Sequence, residues 1–583
     1  LNPHLVNQFM IGAMHDREES PPLPPDGYSA LYRQNRGLAG LGQYNNTWNP
    51  LNFIPKASFG RIPASFSAAS LSYDGSEPLS GFDMNITSTD NLTYTYGAHT
   101  FKAGVYLEQS RFGQAATSNF GGSFDFSNSS LDPTNSGYAF ANAYLGHFAS
   151  YTEDLGRGPD NSRRRTWAWF VQDTWKIARN LTMDIGLRMY QVNWPLQSDG
   201  VASALVPDRF DPTWGGNPPV LYRPISTAQG RRAVNPITGQ ILAQSYIGNI
   251  VPGTGNRCDN LSNTNPCTLN GIVVQNDPNY IPGGGFRDPV GIQFDPRLGF
   301  SWDPFSNGKT AIRVSFGAFH QASTGGSGAL DRGPAFVYTR TLLSSDISPT
   351  TFQSSPVTSP VSVSGVYREQ KIPVVYQYML GIQRDLGHST MFDVSYVGNT
   401  EHYVSQNWNY NYVPFGTRFQ SRYADPSNPA VPLPDAFLRP NTGYLDMLMS
   451  GPATSTRYDA LQVKLQRRFA VGVEIDANYA FSKTFQATGW SQQLPQNLFH
   501  GLSPTDQTHV FNFSYVYDLP KGSKVVPGRA TKWFLDDWRI SGITTFASGF
   551  PSNIVLTTTD SYDFTGGGDI GAGSWQAVDR GSI

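Results

Sequence analysis

The chain has 583 residues and a formal net charge of −2, with 15% charged and 13% aromatic residues, among them 29 Tyr, 36 Phe and 12 Trp. A soluble array of domains would carry about 25% charge, and a near-neutral chain gives no electrostatic reason to bind nucleic acid. No apolar run reaches the roughly eighteen residues of a membrane-crossing helix, but strands of about ten alternating residues would still span lipid.

In chain order, the first element is strand-like from Leu5 to Ala13. The stretch around it, "LNPHLVNQFMIGAMHDREES", lacks the charged start, apolar centre and small-residue cleavage site of a signal peptide. "NLTYTY" and "TFKAGVYLEQS" follow, joined by "GAH" near Gly97. "TWAWFVQDTWKI" and "NLTMDIGLRMYQVNW" are joined at Ala178 to Asn180, and "IQFDPRLGFSW" and "TAIRVSFGAFH" at Asp303 to Lys309. "VVYQYMLGIQR" and "TMFDVSYVG" meet at Asp385 to Ser389, and "ALQVKLQRRF" and "VEIDANYAFSKT" at Ala470 to Gly472. "HVFNFSYVYDLP" and "WRISGITTFASGF" flank a longer connection from Lys521 to Asp537. Each pair reads as a hairpin. Between hairpins the chain is long, rich in Pro, Gly, Asn and Ser, and reads as without regular structure.

The strands are two-faced. Leu181, Met183, Ile185, Leu187 and Met189 alternate with Thr182, Asp184, Gly186, Arg188 and Tyr190. Leu461, Val463 and Leu465 oppose Gln462, Lys464 and Gln466, and Ile475, Ala477 and Tyr479 oppose Glu474, Asp476 and Asn478. A β-sandwich alternates too. Strand lengths of about nine to twelve residues, beyond the usual five or six, and the asymmetry of short turns against long loops favour a barrel in lipid. Trp167, Trp169, Trp175, Tyr515, Tyr517, Trp533 and Trp538 fall toward strand ends, as interfacial girdles do. The fold class expected is all-β: a large antiparallel transmembrane β-barrel with short periplasmic turns and long extracellular loops. Leu465 and Ile475 are expected near the bilayer middle.

"FVQDTWKIARNLTMDIGLRM", "DPRLGFSWDPFSNGKTAIRVSFGAFH", "YDALQVKLQRRFAVGVEIDANYAFSKTF" and "DWRISGITTFASGFPSNI" resemble the barrel of TonB-dependent outer-membrane receptors, most closely the Oar-like type. The resemblance runs from about Ser72 to Pro551. It implies a 22-stranded barrel, a globular plug and a TonB box gripped by an energy-transducing complex, and in many relatives an N-terminal β-sandwich. No plug, TonB box or sandwich is recognisable, about thirteen strands are, and no aromatic-terminated closing strand ends the chain. Residues 1–583 are therefore expected to be the barrel portion of a longer polypeptide, with its closing strands missing.

No catalytic constellation stands out. The nine His are scattered without metal-ligand spacing, and the glycine-rich runs do not sit between a strand and a helix. Asp560, Asp563 and Asp569 lie among glycines without the ligand order of a calcium loop. No cofactor or metal is expected. Cys258 and Cys267, in a turn-rich polar segment, are expected to form a local disulfide, against the alternative of two unrelated thiols. The lumen-facing candidates are Arg188, Arg313, Lys464, Glu474 and Asp476. Two functions fit. One is energy-coupled uptake of a large or scarce substrate captured by the loops, with outer-membrane lipid and a TonB-type complex as partners, the latter through a region outside this chain. The other is a surface barrel whose loops bind a partner protein or polymer.

Overall fold

The computed structural model describes residues 4–20, 27–41, 49, 52–60, 70–73, 79–114, 119, 121–129, 131–155, 160–255, 267–275, 277, 279–280, 285–321, 333–348, 351–353, 359–470, 472–487, 500–552, 554–557 and 574–577. Thirteen strands form one antiparallel path in which each pairs with the next in sequence. They are β1 Leu5–Ser20, β2 Leu79–Tyr96, β3 His99–Gln114, β4 Asp160–Ala178, β5 Leu181–Val192, β6 Gln293–Trp302 and β7 Thr310–His320. They continue as β8 Val374–Gly387, β9 Thr390–Asn409, β10 Tyr444–Ala470, β11 Val473–Ala487, β12 His509–Asp518 and β13 Arg539–Ala547. Among the described residues, β1 and β13 are the two ends of this path. Each strand read from alternation is present, in the expected order.

An antiparallel meander places successive connections at opposite ends. At one end lie short connections, including residues 97–98, 179–180, 303–309 and 388–389. His388 and Ser389 both take positive φ (52° and 59°), the backbone of a turn whose twist matches that of the strands it joins. At the other end the longer connections leave and return, between β1 and β2, β3 and β4, β5 and β6, β7 and β8, β9 and β10, and β11 and β12. The two ends are called here the turn end and the loop end.

Cross-strand pairs share a face, so register settles which side chains stand together. Ile185 is opposite Leu298, and Leu298 is opposite Phe316. Val314 is opposite Leu380, Leu380 opposite Tyr396, and Tyr396 opposite Leu461. This apolar face stays open: Ile185 is 49% and Leu380 52% exposed. The other face is polar, with Asp184 opposite Gly299 and Lys464 opposite both Asp393 and Asn478. Tyr96, Trp175 and Trp302 edge the apolar face at the turn end, where His99 stacks on Trp175 (centroids 5.3 Å apart) and bonds Asp173 through Nδ1 at 2.7 Å.

Three expectations are corrected. The strands run from nine residues (β13) to 27 (β10), because they continue past the apolar band into the loop end. There Val361–Val366 pairs in parallel with the start of β10, and neither face needs to alternate. Trp167 and Trp169 consequently lie inside β4, which begins at Asp160, while Trp175 keeps its place near the strand end. Ile475 sits only two residues into β11, opposite Arg467 and near the turn end, whereas Leu465 stands further in, between Phe392 and Ala477.

The third correction concerns the long loops, which are folded. Lys56–Ser58, Ser70–Leu71, Ser123–Asp125, His147–Leu155 and Tyr338–Asp346, from three different loops, form a five-stranded sheet. Its core is Phe124, Phe126, Phe148, Tyr151, Leu342 and Phe352. A second cluster joins Leu205 and Val363 to Tyr444, Met447 and Met449 at the start of β10. Buried Arg33 laces two loops together, donating from Nε to Phe53 O (2.9 Å), from Nη1 to Leu41 O (2.7 Å) and from Nη2 to Gly121 O (3.3 Å). Proline and glycine break periodicity in these segments, so their apolar residues converge from distant positions without a sequence signature.

Candidate functional site

The polar face is the one over which the loops fold. Ala168 on β4 and Tyr190 and Val192 on β5 are buried against Ile372, Trp194 and Val290 from the loop end. Beneath that contact is a cavity of about 590 Å³ lined by Tyr106, Glu108, Arg164, Arg188, Tyr190 and His320 among others. Alternation on the neighbouring strands β3, β4 and β5 delivers the first five to one side, and His320 joins them from the end of β7.

Glu108 is the hub. Its Oε2 accepts the Tyr106 hydroxyl at 3.1 Å, and Arg164 Nη2 lies 3.5 Å from its Oε1. The Arg188 guanidinium stands 6.0 Å from the Tyr106 ring centroid. Across the cavity, His320 Nδ1 meets Asp295 Oδ1 at 2.5 Å, and the His320 backbone N–H donates to the same oxygen at 3.1 Å. The loop segment packed beside the cavity is cationic and aromatic. Arg287 lies 4.9 Å from the Trp194 ring centroid, and burial lowers its pKa to about 10, so it stays charged at neutral pH. Arg368 Nε bonds Asp288 Oδ1 at 2.8 Å, while Trp194 Nε1 donates to Asp288 O at 2.9 Å.

Of the five lumen-facing candidates, Arg188 belongs to this cavity. Lys464 and Asp476 stand together elsewhere on the polar face, with Nζ 3.2 Å from Oδ2. A second cavity of about 270 Å³ there is lined by Lys464, Asp393, Gln462, Asn478 and Asn512. Arg313 lies opposite Ser301 and Gly381, and Glu474 opposite Val516 near the turn end. The face therefore separates these residues into four places. Sequence reading missed Glu108, Arg164 and Asp295 as partners of Arg188, and left His320 as one scattered histidine. Glu108 shares its strand's parity with Tyr106; the register joining β3 to β4 and β5 is what brings Arg164 and Arg188 to them.

Cys267 is buried beside Ala335 and Phe336 and is disulfide-bonded. Cys258, Asp560, Asp563 and Asp569 lie outside the described residues. Among the described residues, no three His, Cys, Asp or Glu side chains gather as a metal site.

Similarity to solved structures is low in sequence and partial in shape. The outer membrane transporter YddB from Escherichia coli aligns at 10% identity and a TM-score of 0.43, covering 86% of this chain and 47% of that one. Pseudomonas aeruginosa FpvA bound to heterologous pyoverdines gives 10% identity and 0.38, over 96% and 45%. The siderophore receptor PirA from Acinetobacter baumannii gives 10% and 0.32, over 85% and 51%. The chain thus spans about half the length of each. No curated protein matches it. A family model described as an outer membrane beta barrel domain matches residues 1–577. With its antiparallel meander, two-faced strands and polarised connections, the chain belongs to the outer membrane beta barrel domain family and lies in the outer membrane.

Proposed function

We propose that the chain is the barrel portion of a TonB-dependent receptor of the Oar-like type, which captures a substrate at its loops and passes it along the polar face by energy-coupled transport. One observation carries this reading: loop residues pack onto the polar face beside a charged, aromatic cavity that the strands themselves line. A wall serving only as an anchor would need no such cavity. The loop end then faces the exterior, including the segments around Gly230 and Pro426, and the turn end faces the periplasm; Gly325, expected on the same side, lies outside the described residues. Protease added to intact cells should cut at the loop end; cutting at residues 388–389 would reverse the orientation.

Transport is tested with the parent polypeptide expressed in a receptor-deficient host. Accumulation of solutes from the native growth medium should require both the inner-membrane energising complex and a proton-motive force. Accumulation independent of both would sink the reading.

The packed core of the loops favours a second reading, in which a preformed surface binds a partner protein or polymer. Energy-independent retention of such a partner on cells would support it. We propose further that Cys267 pairs with Cys258, closing a loop worth up to about 3 kcal/mol in the chain-entropy account. Thiol labelling of both residues without reductant would refute that pairing.

A further inference from the structure

We propose that the connection between β12 and β13 is an interfacial anchor that lies on the phospholipid leaflet at the turn end and gathers anionic headgroups there. The other described connections at this end are at most seven residues long, whereas residues 519–538 fold into a structure of their own, with a helix at Arg529–Leu535. The structure is pinned shut. Ser523 donates to the Asp536 carboxylate from its backbone N–H (2.9 Å) and from Oγ (2.6 Å), and the Leu519 N–H donates to Trp538 O (2.8 Å).

It nevertheless encloses no core. No residue of Gly522–Lys524 or of the helix is buried. Val525 is 83% exposed, Val526 56%, Trp533 87%, Phe534 74% and Leu535 50%. A helix of seven residues is marginal in water, and a contiguous apolar patch marks a surface that something covers.

The register says what covers it. Asp518 pairs with Arg539 and Tyr517 with Ile540, so the Leu519–Trp538 bond continues the ladder and puts Trp538 on the face of Tyr517 and Ile540. That is the apolar, lipid-facing side of the wall. The Trp538 indole Nε1 donates to Phe534 O at 2.7 Å, which ties the last turn of the helix to the same side.

Charge names the kind of lipid. Residues 519–538 hold Lys521, Lys524, Arg529 and Lys532 against Asp536 and Asp537, four positive and two negative, in a chain whose net charge is −2. Lys521 lies 3.2 Å from Asp537. Lys524, Arg529 and Lys532 are exposed and form no ion pair among the described residues. Exposed rings with lysines and arginines at the edge of a lipid-facing surface fit the headgroup region. Unpaired cations there attract phosphate-bearing anionic lipids. Contact with lipid follows from membrane insertion alone; its assignment to the periplasmic leaflet rests on the orientation proposed above.

The test reconstitutes the parent polypeptide in phosphatidylcholine bilayers with or without phosphatidylglycerol, either lipid carrying bromine near the glycerol backbone. The fluorescence difference between the chain and a Trp533→Phe variant isolates that indole. It should be quenched by brominated lipid, shielded from aqueous iodide, and quenched severalfold more effectively by brominated phosphatidylglycerol. In a Lys524→Gln/Arg529→Gln/Lys532→Gln variant that preference should vanish while shielding persists. An indole open to iodide and untouched by brominated lipid overturns the anchor. Equal quenching by the two lipids in the unsubstituted chain overturns the headgroup preference. Protease cleavage at the turn end of intact cells would change the leaflet and leave both results standing.

Discussion

The wall and the loop assembly use apolar side chains in opposite ways. On the wall, Ile185, Leu380 and Ile540 stand 49%, 52% and 46% exposed; in the loop assembly Phe148, Tyr151 and Leu205 are fully buried at 0%. Both arrangements remove apolar surface from water. The wall relies on lipid to do so and needs only a strand with a period of two. The loops lie beyond the lipid, where backbone and side chains face water, so they build a core of their own from residues far apart in sequence. Exposure of a large apolar side chain therefore means correct placement in one region and would mean a defect in the other.

The strongest way to break this comparison is to empty the loop core. Phe148 packs against Phe124 with ring centroids 5.3 Å apart, within the cluster that joins three loops. Phe148→Ala should cost about 3–5 kcal/mol of loop-assembly stability, through lost burial and the cavity left behind. Loop-end proteolysis should then begin at a lower temperature, while the heat-modifiable mobility of the wall in detergent gels stays unchanged. A wall that melts together with the loops would make the two regions one cooperative unit.

Next in size is a charge on the lipid side. Leu465 stands between Phe392 and Ala477 on the apolar face, and Lys464 beside it points to the polar face and Asp476. Leu465→Arg should cost about 2–4 kcal/mol in reversible unfolding, because the charge must thin the bilayer or snorkel out of it. Lys464→Gln should cost far less, since its partner keeps access to the polar side. The reverse ranking would turn the strand inside out.

The two regions also differed in how far they could be read from sequence. Alternation in "NLTMDIGLRMYQVNW" placed Ile185 and Arg188 on opposite faces, and the structure keeps them there through Leu298 and Asp295. Strand limits were less legible. β10 begins at Tyr444, well before "ALQVKLQRRF", because its first turns of chain pair with loop residues and obey no lipid-and-lumen pattern. The loop core was not legible at all. Phe124, Tyr151, Leu342 and Phe352 meet only when separate loops pair, and nothing local marks that meeting. The cavity stands between these cases: Tyr106, Glu108, Arg164 and Arg188 followed their strands' parity but converge only through the register of β3, β4 and β5, while His320, at the end of β7, turns to the polar side against the parity of Val314 and Phe316.

The smallest expected effect sharpens the comparison by pH. Two loops meet where Arg231, on the strand Gly230–Val234, bonds the Asp425 carboxylate, whose side chain is fully buried. Burial alone would raise the pKa of that carboxyl. The Ser427 hydroxyl (2.6 Å) and backbone N–H (2.8 Å), with the Arg231 guanidinium, outweigh burial and hold it below the ordinary carboxylate range. A depressed folded pKa gives stability that is fully present above the unfolded carboxyl value, near about 4, and is lost as pH falls through the folded value. The contact between residues 230–234 and 424–432 should therefore hold at neutral pH and loosen only in acid below that range. Hydrogen exchange of these two segments, compared at neutral and acidic pH, reads the change directly. Asp425→Asn should weaken the contact at neutral pH and flatten its acid response. The wall provides the control, since the ladder that pairs β4 with β5 should exchange alike in both proteins at both pH values. Loosening of the wall over the same interval would mean that acid acts on the whole chain rather than on this buried carboxylate.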